Sequence, residues 1–113
     1  ELMNAYEIPS LRFSLPAGGA VKRHRFVAVD ANSNGIQAVA DSNIIGVSMN
    51  KTSAGQVLEI ADGIVMVEAA KAVTAGKIAY ADANGKVTDT GTVVAGIVIT
   101  SAVAGGLAAV KIN

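Results

Sequence analysis

Glycine spacing limits this chain to short strands joined by tight turns. Gly35, Gly46 and Gly55 recur as Gly85, Gly96 and Gly105, each 50 positions later, and Ala54 recurs as Ala104 in the same frame. The residue classes between them agree as well: Val47 and Met49 match Ile97 and Ile99, and Leu58 and Ile60 match Ala108 and Val110. Glycines set where a chain can turn, and turn spacing sets strand length, so the pattern predicts two similar β units.

Composition points the same way. Of 113 residues, 51% are hydrophobic but only 4% aromatic, and the apolar set is mostly Ala, Val and Ile, which favours strands. A chain of this size forms one domain and removes roughly two-thirds of its unfolded surface from water. Alanine-rich strands bury little area each, at about 25 cal/mol per Å², so self-association is expected to supply further burial. Formal net charge is zero, which leaves no global field to attract nucleic acid or anionic lipid and favours contact between copies. With no cysteine there is neither a disulfide framework nor a thiolate metal site. No run approaches the ~18 apolar residues of a spanning helix, so a soluble protein or part of a soluble assembly is expected. The chain starts at Glu1 with no basic and apolar leader pattern, and a trimmed start fits this.

Residues 1–16 stand apart: they hold Pro9 and Pro16 and no glycine, and Leu11, Phe13 and Leu15 alternate. This reads as an extended N-terminal arm or edge strand, with Tyr6 and Phe13 supplying two of the four aromatics. Residues 17–113 read as a single β domain, with units at about 17–62 and 63–113. Lys22-Arg23-His24-Arg25 leads into the strand Phe26-Val27-Ala28-Val29, and Asp62-Gly63 between two apolar runs predicts a hairpin. Residues 68–72 are a connector of about one helical turn at most. Strands of four to eight residues with glycine-marked turns describe a small all-β barrel or sandwich.

Candidate chemistry is sparse. Asp30-Ala31-Asn32-Ser33-Asn34-Gly35, with Asp41 at the closing position, matches a calcium loop, which would make a calcium- or glycan-binding β module. Its flanks are strand-like and its closing residue is Asp, so an Asx-rich turn is the simpler reading. The second copy has the same turn, read in the glycine frame as cut by two residues. Glu68-Ala69-Ala70-Lys71-Ala72 resembles the lysine-bearing hairpin of biotinyl and lipoyl carrier domains, but Ala70 replaces the usual Met. Lys22, Arg23, His24 and Arg25 lack the aromatic platform of a nucleic-acid site and fit a charged strand edge or a contact to an acidic protein patch. His24, the only histidine, has no partner for base catalysis or metal binding, and no nucleophile motif is present, so neither an enzyme nor a cofactor is expected.

The order of short motifs resembles the capsid cement or head decoration proteins of tailed bacteriophages. The matching stretches are Phe26-Val27-Ala28-Val29-Asp30, Ile45-Gly46-Val47-Ser48, Ser53-Ala54-Gly55-Gln56-Val57, Asp62-Gly63-Ile64-Val65, Val73-Thr74-Ala75-Gly76-Lys77-Ile78, Ala81-Asp82-Ala83-Asn84-Gly85-Lys86-Val87 and Ala95-Gly96-Ile97. Coverage is about residues 17 to 112. Lys77 stands where an acidic residue is usual, and the apolar arm is longer than the pattern. The resemblance implies a small β-barrel or sandwich, commonly a homotrimer, on the outer surface of an expanded capsid, where it bridges major capsid proteins. Its partners would be the major capsid protein and itself, with no direct nucleic-acid or membrane contact. Contact residues are expected at Leu11, Arg12, Phe13 and Leu15 in the arm, and at Arg23 and Arg25 in the basic cluster.

Overall fold

The computed structural model describes residues 8–113, so Tyr6 and the other residues of the expected arm up to Glu7 lie outside the described residues. Among the described residues every regular element is a strand: β1 (Ile8–Pro16), β2 (Phe26–Val29), β3 (Gly35–Gln37), β4 (Gly46–Ser48), β5 (Val57–Glu68), β6 (Ile78–Ala81), β7 (Val87–Thr88), β8 (Gly96–Val98) and β9 (Leu107–Ile112). Branched Val and Ile pack well on a pleated surface, and polar or glycine turns interrupt them before a helix can propagate. The strands pair antiparallel into one curled sheet, a half-barrel, in the order β3-β2-β4-β5-β9-β8-β6-β7, with β1 also on β5. Of the expected small all-β barrel or sandwich, a half-barrel is what forms.

That order is palindromic, and the repeat explains it. β2, β3, β4 and the first half of β5 correspond to β6, β7, β8 and β9, while β1 corresponds to the second half of β5. Leu15 pairs with Leu58 as Val67 pairs with Ala108, and Phe13 with Ile60 as Val65 with Val110. β5 therefore closes the first unit and opens the second.

Two sequence expectations need correction. Asp62-Gly63 forms no hairpin; β5 runs through it for 12 residues. Residues 57–61 are held by β1 and β4, and residues 64–68 by β9, so neighbours on either side fix the strand before local turn preference acts. Gly63 keeps a positive φ of 101°, and β1 answers it with a register shift between Pro9 and Leu11.

The second correction concerns the repeat frame. Asp30 N–H donates to the Asn34 carbonyl as Asp82 N–H does to that of Lys86, an offset of 52. Ser33, at φ 65°, is thus the counterpart of Gly85, at φ 73°, and Gly35 is the counterpart of Val87. The turns are equally long. The two-residue difference falls between β3 and β4, after which the 50-residue frame holds for Gly46 and Gly96. These two glycines permit close strand approach: a Cβ on Gly46 would sit 2.7 Å from the Ala61 carbonyl oxygen, and one on Gly96 would overlap that of Lys111.

Two apolar clusters result. Ala17, Val21, Val27, Leu58 and Ile60, with Phe13 and Leu15 against them, fill the first unit. Their counterparts Ala69, Val73, Ala79, Ala108, Val110, Val65 and Val67 fill the second. Phe26, Ala28, Val47 and Ala61, on the opposite face of the first unit's strands, pack onto this second core and join the units.

Candidate interaction surface

β1 pairs only with β5 among the described strands, so it lies at a sheet edge. Leu11, Phe13 and Leu15 lie on one face of the strand, and burial grows along it toward Pro16. Phe13 and Leu15 turn inward onto the first unit's core, while Leu11 is 55% exposed. Arg12 is exposed and pairs with Glu59 at 3.8 Å, a solvated contact worth little by itself. Beside the end of β1, Leu15, Pro16 and the exposed Val57 line a shallow groove of about 290 Å³. Leu11 and Val57 are apolar surface; Phe13 and Leu15 are chiefly core.

The basic cluster also divides. Lys22 and Arg23 are exposed in a turn, whereas Arg25 is only 6% exposed. Ser48 shapes this turn: its hydroxyl accepts the Arg25 N–H at 3.1 Å and donates to the Lys22 carbonyl. His24 adopts a left-handed φ of 62°, and its Nδ1 lies 3.2 Å from the Met66 carbonyl oxygen. The inward Arg25 donates to the Glu68 carboxylate at 3.0 Å and to the Asn84 carbonyl at 3.1 Å. Lys86 reaches the other Glu68 oxygen at 3.3 Å. Arg25 hydrogen bonding, and then Lys86, hold the Glu68 carboxyl below its ordinary range, against the opposing effect of burial. Arg25 is therefore an internal brace between units and not a surface cation.

The turns carry local structure. Asp30 accepts the N–H groups of Asn32 and Asn34, each at 2.9 Å, and the Asn34 bond leads the causes that hold its carboxyl below the ordinary pKa. Asp82 accepts those of Asn84 and Lys86 in the same way. Asp41 lies elsewhere and accepts the Thr92 N–H at 3.0 Å, so the loop does not gather its carboxylates. Among the described residues no group of three or more His, Asp or Glu is placed to hold a metal. Lys71 is not at a hairpin tip: β5 and β6 do not pair, and the segment between them is bridged at Ala69 to Val87 and at Val73 to Ala102. Its ammonium pairs with Asp89 at 3.2 Å on the surface.

The sequence reading missed a further surface. The Asn84-Gly85 turn of the second unit docks on the first: Phe26 N–H donates to the Gly85 carbonyl at 2.8 Å, and Gln37 Nε2 to that of Asn84 at 3.0 Å. Phe26 and Val47 beneath are fully buried, yet their counterparts Ile78 and Ile97 are 43% and 39% exposed. Ala81 is buried in the joint, and its counterpart Val29 is 46% exposed. Repeat positions of unlike burial are the signal, but it needs the 52-residue frame to be seen.

Among the described residues the half-barrel of two fused β units engages Asp30, Asp41 and Asp82 in turns and loops and Glu59, Glu68 and Asp89 in ion pairs, and leaves apolar residues exposed at an edge and on a face. The chain belongs to the phage cement protein family, which matches residues 7–112. Its fold is similar to that of the head fiber gp8.5 N base in bacteriophage phi29, at 17% identity and a TM-score of 0.75, over 91% of this chain and 93% of that one. No curated protein matches the chain. It is a phage capsid-associated structural protein.

Proposed function

We propose that this chain binds the outer surface of a phage capsid as a homo-oligomer, with a trimer as the expected state, and reinforces contacts between major capsid protein subunits. The observation that carries this reading is the cement-family match across 7–112. Cementing requires no turnover: each docked copy adds buried interface between shell subunits, which stabilises the shell by mass action. The exposed Leu11 toward one end of the pairing of β1 with β5 and Val57 at the other offer apolar surface along an edge that also carries Arg12, and Arg23 adds a cation to the surface. Phe13, Leu15 and Arg25 support these contacts from within by holding β1 and the basic turn in place.

The test is co-sedimentation of the purified protein with expanded capsids of the phage that encodes it, followed by thermal disruption. Saturable binding and a higher disruption temperature are expected. Capsids that neither bind the protein nor gain thermal resistance would overturn the reading.

A further inference from the structure

The joint between the two units shows what fits a socket that the second unit leaves open. On the first unit, Arg25, Phe26 and Gln37 receive the Asn84-Gly85 turn through three hydrogen bonds. The equivalent positions on the second unit are Lys77, Ile78 and Asp89. They line an open groove of about 390 Å³, floored in part by Val98 and Tyr80. The matching turn on the first unit, residues 30–34, has the same internal hydrogen bonds as its docked counterpart, and Ala31, Asn32 and Ser33 are exposed.

We propose that the turn at residues 30–34 of one copy seats in the Lys77–Ile78–Asp89 groove of a second copy, repeating between chains the contact made within each chain. The occupant is specified by shape and chemistry. Ser33 shares the left-handed backbone of Gly85, so the Asn32 and Ser33 carbonyls leave the turn as the docked ones do. Lys77 stands where Arg25 donates, and the Ile78 backbone N–H where Phe26 donates. Ser33 carries a side chain that Gly85 lacks, and a Cβ on Gly85 would lie 3.1 Å from Gln37 Cγ and 3.2 Å from the Ala38 and Phe26 carbonyl oxygens, so the copied turn seats a few tenths of an ångström further out. Asp89 carries a carboxylate where Gln37 carries a donor amide, so the copied contact keeps two of the three docked hydrogen bonds, those from Lys77 and Ile78. Val29 would then cover Ile78 and Ile97, so the three exposed residues with buried counterparts are satisfied together.

The contact is heterologous, so it builds a closed ring where its rotation closes and a filament where it does not. It rests on the reading of the chain as a self-assembling capsid protein, but its test needs no capsid. The chain has no cysteine, so Ser33→Cys and Asp89→Cys introduce the only thiols, at positions whose Cβ atoms the copied contact brings near the ~3.5–4.5 Å that a disulfide spans. Under mild oxidation, mixing the two single variants is expected to give covalent heterodimers, and the double variant to give higher covalent oligomers. Ile78→Lys is expected to weaken self-association about thirtyfold or more in sedimentation velocity, with thermal unfolding unchanged at concentrations where both proteins are monomeric. Oligomers that neither cross-link at 33 and 89 nor respond to Ile78→Lys would overturn this surface while leaving self-association intact. A wild-type chain that stays monomeric up to millimolar concentration would overturn both.

Discussion

The Arg25 guanidinium meets the Glu68 carboxylate at 3.0 Å across the joint between the two β units, and Lys86 completes the network at 3.3 Å. Arg25 comes from the turn before β2, Glu68 from the last position of β5, and Lys86 from the turn after β6. One buried cation thus ties together segments far apart in sequence. Arg25→Met is expected to destabilise by about 2 kcal/mol, less than for a fully isolated pair because Glu68 keeps Lys86. A double-mutant cycle with Glu68→Gln, read by urea unfolding, should give a coupling energy of about 1 kcal/mol or more. Additive single effects would contradict the brace.

The same network sets an acid limit. Glu68 is held below its ordinary range chiefly by Arg25, so it binds a proton less readily folded than unfolded. Its contribution is present above the ordinary glutamate value, about 4.3, and is lost as pH falls through the lowered folded value. Urea midpoints should therefore hold steady from neutral pH to the ordinary glutamate range and drop below it, with a smaller drop in Glu68→Gln. An equal acid loss in the variant would place the titration elsewhere.

Close approach makes two glycines irreplaceable. Gly96→Ala puts a methyl into the Lys111 carbonyl and Gly46→Ala puts one against that of Ala61, in both cases backbone that cannot rotate away. Each should cost about 3 kcal/mol or more. Gly55 has open space and only a positive φ of 84° to lose, so Gly55→Ala should cost about 1 kcal/mol. Thermal melts by circular dichroism would rank the three, and an equal ranking would refute the argument from strand approach.

Calcium should leave the melting temperature unchanged. Asp30 is engaged by the Asn32 and Asn34 amides, and Asp41 by Thr92. A rise on adding calcium that chelator reverses would show that the loop rearranges around the ion.

The edge-strand contact is better probed by Leu11→Lys than by removing residues 1–16. Truncation takes away the partner of residues 57–64 in β5 and bares Leu58 and Ile60, so it tests folding first. Leu11 is exposed, and its replacement should leave the melting temperature nearly unchanged while lowering affinity for capsids. Undiminished binding would remove Leu11 from the contact.

What the sequence alone determined is the fold class and its doubling. Branched residues between glycine turns permit little but short strands, and the recurrence of Gly46 as Gly96 and Gly55 as Gly105 marks two units, because turn positions are local properties of the backbone. The tertiary structure decided which neighbours those strands take. Asp62-Gly63 reads as a hairpin until β1, β4 and β9 claim both sides of β5, and Arg25 reads as a surface cation until Ser48 and Glu68 turn it inward. The surfaces that remain open at Val29, Ile78 and Ile97 follow from how one unit docks on the other, and the one at Leu11 from its place on an edge strand. Exposure belongs to the assembled packing; an apolar residue in a strand reads the same whether its face is covered or bare.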